Sequence, residues 1–190
     1  MARPDDTAPP RGPLAWVAAR PWRLPAVVLG ASLAMLCGAW FFEYVVGLAP
    51  CALCLEQRLP YKIAAVLALA ALAVTGAGRL PAAAPALAIV AAGLFAWGAA
   101  IAAYHVGVEQ GWWAGTAACS GAVAVDPNAS IAAVRDQLLN TPVVRCDVVP
   151  WSLAGISLAG WNFLASLLFV AGCLGATWRL AGPLNRGTMP

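Results

Sequence analysis

PALAIVAAGLFAWGAAIAAY, residues 85–104, runs for twenty residues without a single charged side chain. At 1.5 Å per residue a helix of that length is about 30 Å long, which matches the hydrocarbon core of a bilayer. Three further apolar runs have similar reach, at residues 25–47, 59–77 and 151–178. The whole chain agrees with them: of its 190 residues 62% are hydrophobic and only 10% charged. Soluble domains average about 25% charged, and eleven basic plus eight acidic side chains do not cover so much apolar surface. The sequence predicts an all-α membrane protein, a bundle of four transmembrane helices, in which every backbone polar group is satisfied within its own helix.

The segments between the runs set the domain plan. Residues 1–24, polar and rich in Pro and Arg, read as a disordered lead-in. The four spans occupy 25–178, with a tight turn around Arg79 and a long loop, 105–150, between the third and fourth. Residues 179–190 form a short basic tail. Four crossings put both termini and the Arg79 turn on one side and the two cysteine-bearing segments on the other. The first side carries Arg3, Arg11, Arg20, Arg23, Arg79, Arg179 and Arg186 against Asp5 and Asp6. The second mixes Arg58, Lys62, Arg135 and Arg145 with six carboxylates. Basic residues near membrane ends stay in the cytoplasm, so the cysteine segments should face the oxidising periplasm of a bacterial inner membrane. The first run is longer than the apolar core of a signal peptide and no A-x-A site follows it. A net charge of +3 gives no argument for nucleic acid.

Four of the six cysteines lie outside the apolar runs. Cys51-Ala52-Leu53-Cys54 is a C-x-x-C at the exposed end of the second span, where a helix N-terminus favours thiolates. Its bland alternative is a pair of small apolar residues at a helix start. Arg58 follows Cys54 by one helical turn; it is either a snorkelling interfacial charge or a donor to a quinone oxygen. Cys119 and Cys146 enclose residues 120–145 and make a second pair by count, which alone reads as one structural disulfide. Between them Asp126 to Ser130 offer turn and cap chemistry before an amphipathic helix at 131–139. His105 and Glu109 stand at i, i+4 at the exposed end of the third span, suited to quinone protonation or to interfacial hydrogen bonding. Trp112, Trp113 and Trp151 suit anchoring at the membrane surface. Cys37 and Cys173, at different depths, read as small core residues.

CALCLEQR at 51–58, AYHVGVEQGWW at 103–113 and CDVVPWSLAGISLAGWN at 146–162 together resemble the DsbB family of bacterial disulfide-bond-forming membrane proteins. The resemblance covers residues 25–178. It implies a protein-dithiol:quinone oxidoreductase in which Cys51 and Cys54 face the quinone, with Cys54 its donor, and Arg58 and His105 contact it. Cys119 would form a mixed disulfide with a DsbA-like periplasmic thioredoxin-fold protein, and Cys146 would resolve it. The implied cofactor is ubiquinone or menaquinone, and no metal is implied; Cys37, Cys173 and the lead-in inherit no role. A vitamin K epoxide reductase-like arrangement would place the C-x-x-C after the loop pair, the reverse of the order here. A structural or zinc-binding membrane protein using the same four cysteines is the alternative from another class.

Overall fold

Alanine decides how the spans pack. The computed structural model describes residues 12–80, 82–120, 130–140 and 144–185, and within them four helices are long and apolar enough to cross a membrane. These are α2 (Arg23–Trp40), extended by a π-helical turn at Phe41–Val45, then α3 (Ala52–Gly76), α4 (Ala83–Glu109) and α6 (Leu158–Asn185). On α3 the buried face includes Ala64, Ala68 and Ala71; on α4 it includes Ala84, Ala88, Ala91 and Ala99. Lipid is as apolar as leucine, so helices in a bilayer gain by close backbone approach, which small side chains permit. The larger Leu69, Ile89 and Leu168 point outward. Phe95 fills the centre, with the rings of Tyr61 and Phe169 at 5.7 and 5.2 Å. α4 buries the largest share of its span and packs against both α3 and α6, while α2 packs against α3.

The expected spans exist, with shifted ends. α3 starts at Ala52 rather than 59, and α4 continues to Glu109, so both C-x-x-C and His105 are helical or at a helix end. Hydropathy marks only the apolar part of a helix; backbone hydrogen bonding continues through its polar end. The fourth helix begins at Leu158, because 151–157 form a hairpin instead: β1 (Ser152–Leu153) pairs antiparallel with β2 (Ile156–Ser157). Ala154 and Gly155 both have positive φ in its two-residue turn, as the right-handed twist of paired strands demands.

The described part of the expected lead-in is also ordered. α1 (Pro13–Ala18) lies against α6, with Leu14 over Gly175, and the Arg23 guanidinium stacks on Trp16 at 4.3 Å. Proline at the first helical position starts a helix rather than preventing one. Residues 1–11 and 186–190 lie outside the described residues. α5 (Ile131–Asn140) is the amphipathic helix expected in the long loop, and the Ser130 hydroxyl accepts the Ala133 N–H as its cap. The rest of that turn, 126–129, lies outside the described residues. Cys173 is buried as expected, whereas Cys37 is exposed, because Ser32 and Leu36 take the inward positions of α2.

Candidate functional site

Cys51 is the N-cap of α3. Its backbone is extended (φ −76°, ψ 171°) and its sulfur accepts the Cys54 N–H at 3.2 Å. The helix therefore begins on a redox-capable atom. The two cysteines are thiols, and the Cys51 thiol is held well above its ordinary pKa range, first by hydrogen bonding with the Cys54 side chain and then by burial. Cys54, one turn into the helix, is half-buried.

A chain of polar side chains leads away from this pair into the bundle. His105 Nε2 lies 3.7 Å from the Cys51 sulfur and 3.2 Å from the Cys146 carbonyl oxygen, so one ring touches both cysteine pairs. Gln57 donates to His105 Nδ1 at 2.8 Å, Asn162 donates to Gln57 at 2.6 Å, and the Tyr61 hydroxyl donates to Asn162 at 2.6 Å. Ser166 closes the series on Tyr61 at 2.7 Å. Glu109 sits 3.9 Å from His105 and accepts the Ser157 hydroxyl. Arg58 is ion-paired to Glu43 of the π-helical turn, which ties α3 to the end of the first span.

All of these side chains except Ser157 and Ser166 border a cavity of about 650 Å³. Met35, Phe42, Leu48 and Ala165 contribute apolar wall, and Cys54, Arg58, Gln57 and His105 converge on it from the polar end. Ligand cavities of this kind are typically ~300–1,000 Å³, mostly apolar, with a few placed polar groups.

The loop pair is a disulfide. Cys119 and Cys146 are bonded with Cα atoms 5.0 Å apart, and both are buried beside Cys51, Leu53 and Val108. A short 3₁₀ turn at Ala117–Ser120 presents Cys119, and the Thr116 hydroxyl donates to its sulfur at 3.4 Å. Trp113 pins the loop to α4: its indole N–H donates to the Tyr104 carbonyl, and its ring lies on Gly107, where an added Cβ would come within 2.0 Å. Arg145 and Asp147 pair in the open next to Cys146, and the guanidinium hydrogen bond holds the Asp147 carboxyl below its usual range.

The structure thus brings Cys51, Cys54, His105, Cys119 and Cys146 together and sets Arg58 on the same cavity. Reading from the sequence missed Glu43, Gln57, Tyr61, Asn162 and Ser166. A signal existed, since Gln57 with Tyr61 and Asn162 with Ser166 are i, i+4 polar pairs inside apolar helices, where polar groups are costly without partners.

Comparison with known proteins points one way. Residues 21–176 match the family model described as Disulfide bond formation protein DsbB. Disulfide bond formation protein B 2 of Pseudomonas entomophila is 34% identical over 171 residues, covering 90% of this chain and 96% of that protein. Disulfide bond formation protein B of Acidovorax sp. is 31% identical over 171 residues, 82% of this chain and 87% of that one. An uncharacterized protein of Rickettsia prowazekii is 24% identical over 144 residues, 76% and 80% of the two chains. No solved structure gives a significant match.

Proposed function

The chain belongs to the DsbB family, a bacterial inner-membrane protein of disulfide bond formation, and from that premise we propose that it oxidises a DsbA-like periplasmic thioredoxin-fold protein and delivers the electrons to ubiquinone or menaquinone. The observation that carries the reading is the cavity: an apolar space between the spanning helices whose polar end holds Cys54, Arg58 and His105, with the loop disulfide packed behind Cys51. Its size and lining fit a quinone head and the start of an isoprenoid tail. A bound quinone supplies a two-electron, two-proton sink.

The cysteines do the rest by exchange. A partner thiolate attacks Cys119; the Cys119–Cys146 bond breaks, a mixed disulfide forms, and Cys146 leaves as a thiolate. The second partner thiol displaces Cys119, so the partner departs oxidised and the loop pair is a dithiol. That dithiol exchanges with a Cys51–Cys54 disulfide, re-forming Cys119–Cys146 and leaving both electrons on Cys51 and Cys54. Re-forming the Cys51–Cys54 disulfide sends two electrons and two protons to the cavity. Arg58 supplies fixed positive charge where negative charge develops, and Glu43 holds it in place. Because a DsbA-type partner is itself strongly oxidising, at about −120 mV, a dithiol store would stall without a quinone acceptor.

A zinc site using four thiolates is disfavoured, because two of the sulfurs are bonded to each other. The test is quinone absorbance during turnover by purified protein with a reduced thioredoxin-fold dithiol. Cys119→Ser and Cys54→Ser should each abolish turnover, and Arg58→Ala should raise the KM for quinone about tenfold or more. Turnover that survives Cys54→Ser would refute the relay.

A further inference from the structure

His105 is the single histidine of the chain, and its hydrogen bonds have a readable direction. Gln57 Nε2 lies 3.2 Å from the Leu53 carbonyl oxygen as well as 2.8 Å from His105 Nδ1. A carbonyl oxygen only accepts, so it is the amide nitrogen of Gln57, not its oxygen, that faces this way. The second N–H of that nitrogen then points at Nδ1, which must hold a lone pair. Across the ring, Nε2 faces the Cys146 carbonyl, again an acceptor only, and so Nε2 carries the hydrogen. Two independent carbonyls require the same tautomer.

Gln57 is itself held. Its oxygen accepts from Asn162, whose own oxygen accepts from Tyr61, which leaves Ser166 as donor to Tyr61. Turning the Gln57 amide over would set oxygen against the Leu53 oxygen and donor against donor at Asn162. A proton on Nδ1 would meet the Gln57 N–H head on. From Ser166 to Cys146 every donor points toward the cysteines, and hydrogen bonds aligned in this way strengthen one another.

We propose that Gln57, locked by Asn162, Tyr61 and Ser166, is a positioning residue that keeps the His105 proton on Nε2, aimed between the Cys51 sulfur and the Cys146 backbone. Its use rests on the thiol–quinone reading: a thiolate forming at Cys51 meets a donor already in place. The tautomer itself does not depend on that reading.

One histidine makes the test direct. The full chain is labelled with ¹⁵N-histidine, purified through a tag without histidine, reduced, and observed by NMR in detergent micelles at neutral pH. Wild type should show Nε2 protonated and Nδ1 bare. Gln57→Glu, whose carboxylate accepts, should put a proton on Nδ1, and Gln57→Leu, which leaves the Cys146 carbonyl alone to hold the Nε2 hydrogen, should weaken that preference without reversing it. In turnover, Gln57→Leu should lower kcat about tenfold, the loss of roughly one hydrogen bond. A protonated Nδ1 in wild type, or the wild-type spectrum in Gln57→Glu, would overturn the proposal. So would an altered tautomer with wild-type kcat. Gln57→Glu is nearly isosteric and serves if the leucine variant does not fold. The spectrum needs neither partner nor quinone, so a wild type that shows the Nε2–H form without turnover would count against the proposed function alone.

Discussion

Cys51 has two jobs at one atom: its sulfur caps α3 and is also one of the two membrane-proximal thiols. The hydrogen bond with Cys54 and the burial that follows keep its proton on at neutral pH. Only the thiolate alkylates, so its reactivity rises with pH and does not level off near 9, where an ordinary thiol does. A brief iodoacetamide pulse on reduced protein at pH 7 should therefore modify Cys51 at least about tenfold more slowly than in unfolded protein, as read by peptide mass mapping. Equal rates would show that the thiol is not held. The four cysteines, Arg58 and His105 were legible as candidates because their chemistry is written in the residue type. Glu43, Gln57 and Asn162 were not, since a polar residue at a membrane edge has many bland uses. Their partners lie 15, 48 and 105 positions away along the chain.

Among the elements, the helices were readable from length and hydropathy, while their ends were not. The C-x-x-C end of α3, the last turn of α4 and the hairpin before α6 all lie where apolar sequence gives out and hydrogen bonding decides. Ser157 illustrates this: its hydroxyl accepts the Gly160 N–H at the start of α6 and donates to buried Glu109 of α4. Gly107 is the position where an element admits a loop. Trp113 occupies the space a side chain there would need. Gly107→Ala should destabilise the protein by about 1–3 kcal/mol through overpacking, seen as a lowered Tm in detergent. In a Trp113→Ala background the same change should cost little, because the clash has gone. An undiminished effect in that background would place the cause in the helix rather than in the loop.

At the level of the whole molecule, charge carries the expectation of orientation. Arg20, Arg23, Arg79 and Arg179 mark the end away from the cysteines, and basic residues near membrane ends favour the cytoplasm, so that end is expected inside. In intact cells, with native cysteines replaced, an impermeant maleimide reaching the periplasm should label Ser130→Cys and spare Arg79→Cys; the opposite pattern would invert the topology. The sequence by itself determined that the chain crosses a membrane four times, because twenty uncharged residues have no other stable solvent. It also placed the four redox candidates at one face, since crossings alternate sides. Only the tertiary structure decided that His105 touches both cysteine pairs, that Glu43 pairs with Arg58, and that Gln57, Asn162 and Tyr61 form a directed chain behind them. Hydropathy is a property of each segment alone, whereas these contacts depend on which faces of α3, α4 and α6 meet, and the fit of small alanines across the bundle sets that.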